Sequence, residues 1–98
     1  MNTETFTHFD PSTHLNTVED VAAYLEAIIE ESDDDPTVFA HALGDIARSR
    51  NFSEIARQAG ISREGLYKAL SPNGNPTLAT VIKVSRALGL RLHFEAVA

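Results

Sequence analysis

The sequence predicts a mainly α-helical bundle of about five helices with a short C-terminal β-strand. Two observations carry that expectation. Apolar residues recur at helical spacing in successive segments, which open on a capping Thr, Asp or Ser and close on a Gly or a polar break. Only the last residues, Leu90 to Val97, alternate apolar and polar in the manner of a half-buried strand, apart from a weaker extended segment at Thr5–Phe9.

Ninety-eight residues make one domain with a modest core. The chain has no cysteine, which removes disulfide and thiol chemistry and suits a reducing compartment. No apolar run approaches the roughly 20 residues that span a bilayer. The first residues carry neither a basic region nor an apolar signal segment, so a cytoplasmic location is expected. The net charge of −6 conceals a split. Residues 1–35 hold ten acids and no Lys or Arg; residues 36–98 hold eight bases and four acids. The second part is fit to hold phosphates, and the first calls for a basic partner or serves solubility. The chain is read accordingly as an acidic arm and helix, 1–35, followed by a second unit, 36–98.

Taken in order, residues 2–14 are polar, with Phe6 and Phe9 as the large apolar groups, and Asp10-Pro11-Ser12 is a turn signal. Thr17 caps a helix at about 18–31 with Val18, Val21, Ala22, Leu25, Ile28 and Ile29 at helical spacing. Asp35 caps the next, with Pro36 in its first turn, where a missing N–H costs nothing. Phe39, Ala42, Leu43, Ile46 and Ala47 form its buried stripe.

From Ser53 to Leu70 the chain reads as two short helices joined by a tight turn. Ser53 is expected to cap the first, which turns Ile55, Ala56 and Ala59 inward. Gly60 supplies the left-handed residue that ends it, Ile61 plugs the corner, and Ser62 caps the second, which turns Leu66, Ala69 and Leu70 inward. This is the helix-turn-helix pattern, whose second helix would lie in a DNA major groove. A plain helical hairpin is the bland alternative. The outward positions Arg63, Glu64, Tyr67 and Lys68, with Arg57 nearby, favour DNA. Ser71–Pro76 is a loop by composition, Thr77 caps a last helix, and Gly89 stops it.

Four helices from Pro36 to Leu88 are similar to the lambda-repressor-like DNA-binding fold. The segments Ala-Leu-Gly-Asp-Ile-Ala-Arg (42–48), Ile-Ala-Arg (55–57), Gly-Ile-Ser-Arg-Glu (60–64), Leu-Tyr-Lys-Ala-Leu-Ser (66–71), Gly-Asn-Pro (74–76) and Arg-Ala-Leu-Gly-Leu (86–90) follow an acidic helix. As a set, over about residues 9–96, they resemble the HigA-like addiction module antidote proteins. Gly65 departs from the small polar residue expected at its position. The resemblance implies an antitoxin of a bacterial type II module that neutralises a small RelE/ParE-type toxin and represses its own operon. The alternative is a stand-alone repressor of the same fold without a toxin partner.

The expected contacts follow from these readings. In folds of this type Arg63, Glu64 and Lys68 would meet bases. Arg63 would pair with a guanine edge. Glu64 would accept from cytosine, or merely pair with Lys68 one turn on. Ser53, Arg57, Ser62, Asn75 and Thr77 sit near helix starts and would serve phosphates, with Tyr67 also in reach of the duplex. For a basic toxin, Phe6, Phe9 and Tyr24 are the candidate anchors and Glu26, Glu30 and Glu31 the charged rim. Val18, Ala22, Leu25 and Ile29 are then left to cover the core. The alternative is that this helix only completes the core. Leu90, Leu92 and Phe94 form the apolar face of the last strand, expected to pair with a second copy in a homodimer, or within the chain with Thr5–Phe9. No enzyme is expected. His8, His14, His41 and His93 lack metal-ligand spacing, no serine lies in a nucleophile motif, and no glycine-rich loop follows a strand. Neither a cofactor nor a metal is called for.

Overall fold

The structure, a computed structural model, describes residues 17–33 and 35–97. Among them are five helices: α1 Val18–Glu31, α2 Pro36–Ser49, α3 Phe52–Ala59, α4 Arg63–Ala69 and α5 Leu78–Ala87. Readings that fall on Phe6, Phe9, the Thr5–Phe9 segment and the turn at 10–12 lie outside the described residues.

Local chemistry sets the helix ends. The Thr17 hydroxyl accepts from the Asp20 amide at 3.0 Å. Asp35 accepts from the Thr37 amide at 3.0 Å and from its hydroxyl at 2.7 Å, with Pro36 opening α2. Ser62 accepts from the Gly65 amide and Thr77 from the Thr80 amide. Each of the amide contacts satisfies one of the N–H groups that the first turn of a helix leaves without a backbone acceptor. Asn51, not Ser53, caps α3: its side chain accepts from the Glu54 amide at 3.1 Å, and the helix opens at Phe52. The apolar phase explains the correction. Starting at Phe52 places Phe52, Ile55, Ala56 and Ala59 at i, i+3, i+4 and i+7, one buried stripe.

The turn after α3 is closed by two amides. Ile61 donates to the Ala56 carbonyl at 3.0 Å and Gly60 to that of Arg57 at 3.1 Å, with Gly60 at φ 72°. This is the paired bonding that a left-handed residue permits at a helix end. Leu90 and Gly89 repeat it on the carbonyls of Ser85 and Arg86, with Gly89 at φ 87°.

Leu43, Ile46, Leu66, Leu70 and Val84 are fully buried, and α3 packs against α5 while α1 packs against α2. Val21 and Leu25 of α1 belong to the same apolar cluster, with Tyr24 and Ile28 packed against it. Val18 and Ile29 are 45% and 56% exposed, and Ala22 is exposed too. The inward face of α1 is therefore Val21, Tyr24, Leu25 and Ile28, not the expected Val18, Ala22, Leu25 and Ile29. The observed row spans i, i+3, i+4 and i+7 and shelters a tyrosine ring; the expected row would spend a core position on the small Ala22.

Among the described residues there is no strand. Residues 90–97 take no regular secondary structure. Leu90 packs on the core, while Leu92 is 42% and Phe94 95% exposed, so the three do not share one free face. A lone alternating segment has no ladder to join unless a partner segment is present.

Candidate functional site

The outward face of α4 and the start of α3 hold most of the singled-out side chains. Capping by Asn51 puts Ser53 in the first turn of α3, beside the first residue of α4. There the Arg63 Nε donates to the Ser53 Oγ at 3.0 Å. The Arg63 guanidinium carbon lies 5.7 Å from the centroid of the Phe52 ring, and that ring meets Tyr67 edge-on, with centroids 6.2 Å apart and planes at 82°. Phe52 is buried and Tyr67 is half exposed, so the exposed guanidinium rests over a ring that is rooted in the core. Inside α4, Leu66 has no exposed surface, and this anchors the helix.

Arg57 is engaged otherwise. Its Nε donates to Glu54 Oε1 at 3.0 Å, and its Nη2 pairs with the other carboxylate oxygen, which also accepts from Gln58. The hydrogen bonds from Arg57, above all, hold the Glu54 carboxyl below its ordinary value, and the same bonds raise Arg57. A phosphate would have to exchange with Glu54 for this guanidinium. Among the described residues Glu64 makes no ion pair, so the i, i+4 pairing with Lys68 does not form. Lys68 and Asn75 line a shallow depression with Gly65, Ala69 and the 71–74 loop. A Cβ at Gly65 would come 2.8 Å from the Ser62 Oγ that caps α4, and its absence leaves bare backbone beside Lys68. Thr77 is occupied as the cap of α5.

The acidic residues of α1 lie elsewhere. Glu26 and Glu30 line a groove floored by Leu25, Ile29, Phe39 and Leu92, in which the C-terminal segment adds Arg91, His93 and Glu95. Glu31 is exposed. Tyr24 is turned inward, and burial first, then the Asp45 carboxylate, pushes its hydroxyl above its ordinary value. Asp45 in turn accepts from Arg48 at 3.0 Å.

The structure thus brings Ser53, Arg63 and Tyr67 together, and Lys68 with Asn75, while Arg57 and Thr77 are committed to local partners. The Ser53–Arg63 bond and the α1 groove were not read from the sequence. The first depends on Asn51 displacing Ser53 from the cap. The second depends on where the turn at Gly89 sends residues 90–95. No helix among the described residues is long and apolar enough to cross a membrane.

The model of a family described as probable addiction module antidote protein matches residues 5–96, nearly the whole chain. The chain belongs to the addiction module antidote family. An uncharacterized protein of Haemophilus influenzae is 54% identical over 93 residues, covering 95% of this chain and 94% of that protein. No solved structure matches the chain. Membership in the antidote family implies a toxin partner, and gives a regulatory protein as the role to be tested on the two surfaces just described.

Proposed function

We propose that the chain is the antitoxin of a type II toxin–antitoxin module, a non-enzymatic regulator that neutralises a basic RelE/ParE-type toxin and represses its own operon. The observation that carries the DNA half is α4. It is a short helix fixed from beneath by the buried Leu66, and its open face bears Arg63, Glu64, Tyr67 and Lys68. In this reading α3 and α4 form a helix-turn-helix of the lambda-repressor-like kind. Arg63, Glu64 and Lys68 meet base edges, and Ser62, Asn75 and Thr77 lie along the phosphates. Arg57 joins them by leaving Glu54. The surplus of acids over residues 1–35 steers a basic toxin, with Glu26, Glu30 and Glu31 as the rim. Phe6 and Phe9 remain anchors in this reading, joined by the exposed Ile29, whereas Tyr24 contributes chiefly by holding α1 in place. Leu92 and Phe94 are free to pair with the same segment of a second copy, which would set two α4 helices on half-sites roughly 34 Å apart.

The test has two arms. Co-expression with the product of the neighbouring reading frame should yield a stable complex and restore growth to cells expressing that product. Gel shift on the promoter of the same operon should give a sequence-dependent complex. Binding of promoter DNA with no capture of the neighbouring product would leave the stand-alone repressor. Capture without DNA preference would remove the operator-binding half.

A further inference from the structure

We infer that Ser53 is a positioning residue: with the Phe52 ring it fixes the Arg63 guanidinium so that its two terminal nitrogens are presented as a fork to a guanine edge. The inference rests on the DNA-binding reading of α4 and assigns the chemistry that reading uses. What Ser53 contributes to sequence reading is the oxygen that accepts from Arg63; its own O–H donor takes no part in that bond.

The argument is one of donor accounting. Arginine carries donors on Nε, Nη1 and Nη2, and can meet the O6 and N7 acceptors of guanine either side-on, through Nε and one terminal nitrogen, or end-on, through Nη1 and Nη2. Here Nε is already bonded to Ser53 at 3.0 Å. The terminal nitrogens make no hydrogen bond or ion pair among the described residues. The Phe52 ring, 5.7 Å from the guanidinium carbon, restricts its plane, and Tyr67 braces that ring edge-on. Only the end-on fork is then open. A flexible, exposed arginine loses rotamer freedom when it docks on a base; one held beforehand by a hydroxyl and a ring loses less, and the saving appears as affinity for the correct base. Any phosphate contact by the remaining Ser53 O–H would act equally on every sequence, so the positioning role is read in the difference between sequences.

The experiment uses the full chain with two duplexes of equal length, one from the promoter of its own operon and one of scrambled sequence. Ser53→Ala should weaken promoter binding about 3- to 10-fold more than it weakens scrambled binding, the scale of one hydrogen bond. Ser53→Thr, which keeps the hydroxyl, should restore it. On an Arg63→Ala background Ser53→Ala should add nothing, because both act through one contact. In the DNA-free protein the Arg63 Nε–H resonance should shift and exchange faster with water in Ser53→Ala, and return in Ser53→Thr. Equal weakening on both duplexes would make Ser53 a backbone contact and overturn the proposal, as would additive losses with Arg63→Ala or an Nε–H signal indifferent to the hydroxyl. A wild-type protein without preference between the duplexes would overturn the DNA-binding reading, and this role of Ser53 with it. The Nε–H signal tells the two failures apart, since it reports the Ser53 bond without DNA.

Discussion

The reassigned cap of α3 yields a direct stability test. Asn51→Ala removes the acceptor that meets the Glu54 amide at 3.1 Å, and nothing else nearby takes its place, because the Ser53 hydroxyl faces Arg63. Losing an N-cap of this kind costs about 1 kcal/mol. The cost should register globally rather than as fraying: the first turn of α3 contains Phe52 and Ile55, both in the core, and α3 packs against α5. Ser53→Ala loses an exposed hydrogen bond but gains a better helix former, two effects of about 0.5 kcal/mol each and of opposite sign, hence a net near zero. The two variants should therefore differ by about 1 kcal/mol, or about 4–8 °C in Tm for a domain of this size. Urea titration followed by far-ultraviolet circular dichroism, with thermal melts alongside, measures both. If Ser53→Ala falls as far as Asn51→Ala, or further, the hydroxyl is the cap and the phase assigned to α3 is wrong.

Four further outcomes follow from the packing and the charges. Gly44→Ala would put a methyl 2.8 Å from the Leu70 carbonyl oxygen and 3.1 Å from its Cβ, so the usual gain of alanine in a helix should reverse to a loss of about 1–3 kcal/mol in urea titration; a stabilised variant would refute the close approach of α2 to the end of α4. Asp35 and Glu54 are held below their ordinary values of 3.8 and 4.5, so the unfolded chain takes up their protons first on acidification. Their contribution is complete above those ordinary values and is lost as pH falls through the folded ones, and Asp35→Asn should flatten that acid limb. Tyr24 is raised from 10.0, so its contribution is complete below that value and lost as pH rises through the folded one; Tyr24→Phe should remove that alkaline loss. Replacing Glu26, Glu30 and Glu31 together by Gln changes only exposed groups, and should leave the melt and promoter binding intact while slowing toxin association, measured by surface plasmon resonance at two salt concentrations.

The helices were legible because each carries its own start signal: Thr17, Asp35, Ser62 and Thr77 all cap as their sequence positions imply. Gly60 was legible for the same local reason. What failed was choosing between two local solutions. Asn51 and Ser53 are equally good caps, and only the inward phase of Phe52 separates them. On α1, two apolar rows share Leu25, and the surface offered by α2 selects the row with Tyr24. The alternation of Leu90–Val97 signals a strand, but a strand exists only as one side of a ladder, and that information is not local. Of the candidate site, the residue types on α4 could be read directly. That Arg63 would find Ser53 rather than solvent could not, because it follows from the corrected start of α3.

The packing of α1 changes how the two proposed activities must be separated. Val21 and Leu25 lie in the same core as Leu43, Ile46 and Leu66, and Tyr24 and Ile28 seal its edge. A chain truncated to begin at Asp35 would expose that edge, and a loss of toxin binding would then report unfolding as readily as a missing contact. Each buried leucine-sized side chain removed costs about 2–5 kcal/mol, a large share of the stability of a domain this small. Glu26 and Glu30, by contrast, are exposed and line a groove shared with Leu92 and His93. One helix therefore stabilises the fold with one face and offers its charge with the other. Toxin contact and structural support can be told apart only by substitutions confined to the outer face, and a toxin seated there would meet α1 and the C-terminal segment together.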